Sequence, residues 1–510
     1  MATQRHREIE RSFDVDPRTP LPPLHGEDGV VSVGQAVELA LEATYFDTAD
    51  LALARGGVTV RRRTGGTDEG WHLKLPSSGD SRIELHVPLG RAVRTVPTRL
   101  TASVRALVRD RPLVPVVRVT TRRLEHALRD EAGAVLALVC DDQVRAEQLL
   151  TADQQLEWRE WEVELVGGDE VLLEKIEERL RGAGAEPTAF ASKLAHALAG
   201  RLPPPRRKPS VKSLRRGTAA VVVRAHLTEH IAKLHRQDAR VRVGESGSIH
   251  KMRIEARRLR TALKTCRPLF PDGATDTLDD DLRWLGRALS DARDAQVLRE
   301  RLRELVSHHP PELVMGPVGV LIDDELSAAE QVGRRKALAA LEDTRYFRLL
   351  DQLDAFVLDL PVTDEGDRPA RDVLRRLLRR DAKRLQRAVQ HVRQVEAGEA
   401  RDAALHAARK KAKRLRYAAE LAVPVLGKPS TRLASSAKDV QRVLGEHQDT
   451  VMSRTFLREH GARSHADGLN GFTLGRLHAI EEGRAGAARK DFHYAWEDMD
   501  ISRVRKRLGR

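Results

Sequence analysis

Ionisable residues two apart recur through the first 200 positions: Glu8 with Glu10, Arg61 with Arg63, His72 with Lys74, and Glu160 with Glu162 and Glu164. In a β-strand that spacing brings each set to one face, and Ile9, Leu73, Trp161 and Val163 fall on the other. Carboxylates gathered in this way hold hard divalent cations such as Mg²⁺ or Mn²⁺, which keep several waters and bridge to phosphate oxygens. Arginines and lysines beside them clamp phosphate charge, and a metal or carboxylate orients a water for in-line attack. The chemistry indicated is hydrolysis of a polyphosphate chain. The same residues also fit a salt network without metal, and any one strand alone fits a half-exposed sheet with its charges in solvent.

A second set is written twice: His250-x2-Arg253-x3-Arg257-Arg258-Leu259-Arg260 and His406-x2-Arg409-x3-Lys413-Arg414-Leu415-Arg416. At about 100° per residue, positions 0, 3, 7 and 10 of each copy share a narrow helical stripe. Met252, Ala256, Leu259 and Leu263, or Ala408, Ala412, Leu415 and Ala419, make the apolar back. A stripe of like charges repels itself, so building it twice points to a polyanion. Histidine there gains charge when phosphate binds, because a nearby polyanion raises its pKa.

The elements that must position these residues differ along the chain. Alternating segments before residue 200 read as strands joined by Gly/Asp turns. After Arg201-Leu-Pro-Pro-Pro-Arg-Arg-Lys-Pro-Ser210, a stretch that can neither continue a helix nor join a central strand, Leu, Ala and Val recur at helical spacing. Several strands with ionisable groups on one face and apolar groups on the other describe a barrel with a charged lumen. In the helical part, Val223-Arg224-x2-Leu227-x6-Leu234 resembles Leu374-Arg375-x2-Leu378-x6-Leu385, and Leu289-Ser-Asp-Ala-Arg-Asp294 resembles Leu444-Gly-Glu-His-Gln-Asp449. Drifting offsets of this kind suit duplicated helices with loop insertions. The expected organisation is a strand domain over 1–200, a linker over 201–216 and a helical domain over 217–505, with halves at about 217–362 and 368–505.

Charge divides the same way: residues 1–200 hold 26 Lys+Arg against 32 Asp+Glu, and residues 201–510 hold 63 against 43. The halves therefore have different electrostatic work. No apolar run is long enough to cross a membrane and the first residues lack a signal-peptide pattern, which predicts a cytoplasmic protein. Cys140 and Cys266, each in an apolar-patterned segment, predict buried thiols rather than a disulfide or metal site.

Glu8-Ile-Glu10, Thr44-Tyr-Phe-Asp-Thr48, Val60-Arg61-Arg-Arg63, Trp71-His-Leu-Lys74, Arg82-Ile-Glu84-Leu, Glu160-Trp-Glu162-Val-Glu164-Leu and Ala191-Ser-Lys193-Leu resemble, in order over 6–200, the CYTH domain of the triphosphate tunnel metalloenzymes. The resemblance implies an α+β fold with an eight-stranded antiparallel tunnel acting on triphosphates. It implies metal at Glu8, Glu10, Glu162 and Glu164, and metal or water positioning at Glu84 and Asp142. It places phosphate at Arg61, Arg63, Lys74, Arg118 and Lys193, with Arg122 and Arg123 competing for one further place, assigned to Arg123. The family's Glu-x-Glu-x-Lys signature has Ser12 in place of the lysine, which removes a full positive charge. The repeated basic motif resembles the CHAD domain, a conserved-histidine α-helical domain that often follows a CYTH domain in bacteria. That likeness, over about 217–505, implies an all-α pair of pseudo-symmetric bundles around a basic channel that binds inorganic polyphosphate. The channel residues would be His250, Arg253, Arg257, Arg258, Arg260, His406, Arg409, Lys413, Arg414, Arg416 and Tyr417. Asp294 and Asp449 either orient the channel cations or cap helices.

The function expected is metal-dependent hydrolysis of inorganic triphosphate or short polyphosphate, with polyphosphate held by the helical domain. The alternative is a non-catalytic polyphosphate-binding or granule-associated scaffold. Nucleic acid ranks below both: aromatic residues are 4% of the chain and none interleave regularly with the stripe, so bases have little to stack on.

Overall fold

The computed structural model describes residues 4–26, 29–76, 81–91, 93–150, 155–202, 209–501 and 504, with the backbone alone at 4–8 and 81. The chain divides into two compact units, residues 1–207 and 208–510; positions 203–208 of the proline-rich stretch lie outside the described residues.

The first unit contains, among the described residues, strands β1 (Gln4–Asp14), β2 (Ser32–Val33), β3 (Val37–Asp47), β4 (Thr59–Thr64), β5 (Gly70–Pro76), β6 (Ser81–Val87), β7 (Val114–Arg129), β8 (Val135–Gln148), β9 (Gln155–Leu165) and β10 (Glu186–Pro187). Its helices are α1 (Ala52–Arg55), α2 (Thr98–Ser103), α3 (Arg105–Val108), α4 (Glu170–Gly182) and α5 (Lys193–Ala197). The long strands run in the order β6-β5-β4-β3-β7-β8-β9, all antiparallel. β1 pairs with β6 through residues 4–9 and with β9 through residues 10–14, which closes eight strands into a ring. Closure removes the exposed edges an open sheet would carry.

Strict alternation drives the closure. Trp161 and Val163 of β9, Phe13 of β1 and Val139 of β8 pack outward on Leu172, Leu173 and Ile176 of α4, so Glu160, Glu162 and Glu164 turn inward. The first turn of α4 is capped by Asp169, whose side chain accepts from Leu172 N, and α5 is started by Ser192, which accepts from Ala195 N. That cap fixes Lys193 at the head of α5. The β4–β5 turn passes over Ala40, where a Cβ on Gly65 would lie 2.2 Å from a carbonyl oxygen, at φ +81°; only glycine fits.

The second unit is helical throughout: α6 (Val211–Arg216), α7 (Ala219–Arg242), α8 (Ser248–Thr265), α9 (Asp276–Ala288), α10 (Ser290–Ser307), α11 (Val318–Glu342), α12 (Thr344–Leu358), α13 (Asp364–Asp367), α14 (Ala370–Gln394), α15 (Glu399–Leu426), α16 (Lys428–Ala466) and α17 (Phe472–Asp498). In the repeat, α14 and α15 match α7 and α8, and continuous α16 stands where the first half has α9 and α10. Equivalent helices meet one another, α7 with α14, α8 with α15 and α10 with α16. Ahead of α7 and α14 the pairing is reciprocal: Ala219 N donates to Arg368 O at 3.0 Å and Ala370 N to Gly217 O at 3.1 Å. Reciprocity of this kind is what a twofold axis requires, here between two halves of one chain. No helix among the described residues is long and apolar enough to cross a membrane.

Candidate functional site

Inside the strand ring lies a cavity of about 440 Å³ lined by the cations Arg61, Arg63, Lys74, Arg82, Arg123 and Lys193 and the carboxylates Glu10, Glu84, Glu125, Glu162 and Glu164. Lys193 reaches into it from α5. Its Nζ is 2.5 Å from Glu160 Oε1, 2.5 Å from Glu162 Oε1 and 3.0 Å from Asp142 Oδ2. Arg123 grips Asp142 with both arms, Nε to Oδ1 at 2.8 Å and Nη2 to Oδ2 at 2.7 Å, and its Nη2 also donates to Glu162. Glu10 has Lys74 Nζ at 3.5 Å and Arg82 Nη1 at 3.6 Å. His72 Nδ1 is 2.7 Å from Glu84 Oε1, and its Nε2 is 2.9 Å from the carbonyl of Asp68, whose carboxylate pairs with Arg63.

These neighbours set the ionisation. Lys74 holds the Glu10 carboxyl below its ordinary value. Burial opposes ionisation of Glu162, yet Lys193 and Arg123 hold it well below the carboxylate range. Glu164 goes the other way: burial raises it, Lys74 only partly offsets this, and Glu10, Glu162 and Glu84 raise it further. Burial, then Arg61 and Arg123, bring Arg63 down to about 10. Burial also takes His72 to about 4, with Arg61 and Arg63 adding to the effect against Glu84. Its two ring nitrogens face a carboxylate and a carbonyl, both acceptors, and a neutral imidazole donates to only one of them.

The donor set can be tested for a divalent cation. Oxygens of Asp142, Glu160 and Glu162 lie within 4.8 Å of one another, but Lys193 and Arg123 already neutralise that group. Glu10 and Glu164 are direct partners across β1 and β9, and both line the cavity with Glu162. Burial, and then Glu10, Glu162 and Glu84, raise Glu164, and a hard cation bound among these carboxylates would offset both. Glu10, Glu162 and Glu164 therefore fit such an ion. Glu8 lies in β1 opposite Arg82, and its side chain is outside the described residues.

Arg118 is a correction. It lies on the outer face of the ring, between Glu147 at 3.0 Å and Glu42 at 3.8 Å, because residues 118 and 123 are an odd number apart and the β7–β8 register is unbroken between them. The same parity decides between the adjacent arginines: Arg123 faces inward, while Arg122 is exposed and bonded to Glu38. Asp142 has no exposed surface and both oxygens engaged, so it anchors Arg123 and Lys193. Glu160, on the strand face of Glu162, and Arg82, on that of Glu84, join the site beyond the residues that the family likeness assigns; nothing local marks Asp68. Ser12 is the strand partner of Glu162, and the ammonium that reaches Glu162 is that of Lys193.

In the helical unit, α8 and α15 bring their two stripes together. Tyr417 gathers arginines from both: it hydrogen-bonds Arg257, and the guanidinium carbons of Arg258 and Arg416 lie 5.0 and 5.5 Å from its ring centre. The stripe residues then separate by partner. Arg253 pairs with Asp294 at 2.9 Å, Arg260 with Asp279 at 3.0 Å, and Arg258 and Arg416 with Glu420 at 2.9 and 2.8 Å. Arg414 bonds buried Asp381 at 3.0 Å and the carbonyl of Lys264 at 2.8 Å, tying the halves together. Among the described residues Arg257, Arg409 and Lys413 have no carboxylate within salt-bridge reach, and Nδ1 of both His250 and His406 has no hydrogen-bond partner. Burial, with Arg257, Arg409, Arg253 and Arg416, drives Lys413 down to about 6. Burial and nearby cations, Arg293 first for His250 and Lys410 first for His406, keep both imidazoles below their usual value. Asp294 lies inside the first turns of α10 and Asp449 within α16, so neither is a helix cap. Asp449 is raised by burial against the pull of Arg409 and Arg301.

A model of the CYTH domain matches residues 6–190 and a model of the CHAD domain matches residues 225–458. Two uncharacterized proteins of Mycobacterium tuberculosis, MT2285 and Rv2226, are each 37% identical to this chain over 523 aligned residues, covering 98% of it and 98% of their own length. Among solved structures, PptA from Streptomyces chartreusis is 22% identical with a TM-score of 0.47, covering 55% of this chain and 100% of its own. The CHAD domain from the plant Ricinus communis is 25% identical with a TM-score of 0.43, covering 55% and 93%. HpAC1 from Hippeastrum, described as having a dominant triphosphatase activity, is 18% identical with a TM-score of 0.25, covering 39% and 98%.

Proposed function

Because this chain belongs to the proteins that join a CYTH domain to a CHAD domain, we propose that its strand tunnel hydrolyses inorganic triphosphate or short polyphosphate and that its helical unit holds the polyanion. The observation that carries the proposal is the mixed lining of one cavity inside the closed strand ring, with cations and carboxylates interleaved at strand spacing.

Arg61, Arg63, Lys74, Arg123 and Lys193 bind the phosphates. Asp142 keeps Arg123 and Lys193 in place, so these two donors meet the substrate already oriented. Glu10, Glu162 and Glu164, with Glu8, hold Mg²⁺ or Mn²⁺, which when bound screens the charge of the phosphate oxygens. Glu84, steadied by His72, orients the attacking water. Substrate phosphate competes with carboxylates for the same cations, so binding exchanges internal ion pairs for phosphate pairs instead of filling an empty positive hole. In the helical unit His250, Arg253, Arg257, Arg409, Lys413 and His406 form the inner wall for a polyphosphate chain, and Arg258, Arg260, Arg414, Arg416 and Tyr417 hold that wall in shape.

Phosphate release from tripolyphosphate with Mg²⁺ or Mn²⁺ is the test, in wild type and Glu10→Ala. The variant is expected to be strongly impaired; equal rates would leave the tunnel a binding site and the protein a polyphosphate-binding scaffold, in the cytoplasm or on granules.

A further inference from the structure

The repeated stripe has one asymmetric position. Where the first copy has Arg257, the second has Lys413; Arg409 and Arg416 stand about one turn to either side of it on α15, and α8 packs on that helix with its Arg257 bonded to Tyr417 one turn further on. Among the described residues Lys413 has no carboxylate within salt-bridge reach, and burial and the surrounding guanidiniums lower its pKa. Asp294 is paired with Arg253 and Glu420 with Arg258 and Arg416, while buried Asp449 feels Arg409 and Arg301. An arginine in that position could only stay charged. A lysine can shed its proton, and crowding by cations is a recognised way to produce a nucleophilic amine at neutral pH. Lys413 is partly exposed, whereas Lys410 and Lys411 on the same helix are exposed.

We propose that Lys413 is a carbamylation site, at which the free amine adds carbon dioxide and the surrounding guanidiniums hold the carbamate.

In that step the nitrogen lone pair of the amine attacks the carbon of CO₂ and an N–C bond forms. One C=O π pair moves onto oxygen, and the nitrogen releases one proton to solvent. Nothing is oxidised or reduced. A neutral, linear electrophile crosses the cationic wall without the desolvation cost of an ion, and the product is an anion beside guanidiniums in excess of their carboxylates. Arg257 and Arg409, which have no carboxylate within salt-bridge reach among the described residues, supply planar donors suited to two carbamate oxygens. The reaction turns a basic centre acidic, so it opposes polyanion binding in the same channel; only this last consequence rests on the polyphosphate reading above.

The whole protein is equilibrated with isotopically labelled CO₂/bicarbonate, alkylated with a trialkyloxonium salt to fix carbamates as esters, and digested for mass spectrometry. Label is expected on Lys413 at least about tenfold above Lys410 and Lys411, and lost when the protein is unfolded in urea before exposure. Label on Lys413 no higher than on those two, or unchanged by unfolding, overturns the proposal. In the second arm, polyphosphate affinity is measured at constant ionic strength with and without CO₂/bicarbonate, in wild type and Lys413→Arg. Severalfold weakening in wild type alone supports the carbamate as an antagonist, and equal weakening of both proteins overturns that role, since bicarbonate would then be an ordinary competing anion. Label at Lys413 in a protein that binds no polyphosphate would sink the channel reading and still support the carbamate.

Discussion

The tunnel and the paired stripes of the helical unit both concentrate cations, but they balance them differently. In the tunnel, Arg123 and Lys193 share Asp142, Glu160 and Glu162, and Lys74 has Glu10. Along the stripes, Arg253, Arg258, Arg260 and Arg416 are paired while Arg257, Arg409 and Lys413 have no carboxylate within salt-bridge reach among the described residues, and the site relieves itself by keeping Lys413 and two histidines toward their neutral forms. A balanced site is stable empty and can exchange its internal partners for substrate and metal. An unbalanced one stores repulsion that only an anion relieves. Charge removal should therefore act with opposite sign on folding in the two places.

The largest effect is expected at the centre of the tunnel network. Glu162→Gln leaves Lys193 and Arg123 short of a carboxylate, and stranding buried charge costs about 3–5 kcal/mol. Phosphate release should fall on the order of 10³-fold, and the melting temperature should fall with it. The channel gives the contrast. Arg257→Gln/Arg409→Gln should weaken polyphosphate binding roughly 10²-fold by loss of charge-assisted bonds while leaving the melting temperature equal or higher, as differential scanning calorimetry would show. A drop in stability like that of Glu162→Gln would erase the distinction.

A smaller effect follows from proton linkage. With Lys413 down to about 6 in the empty channel and raised by a bound polyanion, the bound state holds more protons above that pH. Affinity should then weaken as pH rises from about 6, by at most about one decade per unit. Lys413→Arg should flatten this part of the profile in CO₂-free buffer, as read by calorimetric titration. The smallest effect is predicted for Arg118→Ala, which alters only the outer face: phosphate release should stay within about twofold of wild type, and a larger loss would mean that the inside and outside of β7 are not independent.

Strand parity made much of the tunnel legible. Glu10, Lys74, Glu84, Glu162 and Glu164 could be placed on one face because a period of two is rigid once a strand is granted. Arg118 falls outside by the same rule: the family likeness puts it in the lumen with Arg123, but five residues apart on one unbroken strand the two face opposite ways. Asp68 was invisible because it acts from a turn, through a backbone carbonyl and a carboxylate that reach His72 and Arg63 only when the hairpin folds back. In the helices, the periodicity located both stripes and their apolar backs, but all eleven residues read as one class.

The sequence by itself determined the two textures, the repeat and the sign of charge on each face, because these follow from local periodicity. Tertiary structure alone decided which charges are answered. Whether an arginine is held by a carboxylate depends on residues far along the chain: Arg123 on Asp142 and Glu162, Lys193 on Glu160, and Arg414 on Asp381. It depends equally on what stays out of reach, and for Lys413 that is every carboxylate among the described residues. Electrostatic energy at these sites is set by distance and burial, and neither is a property of neighbours in sequence.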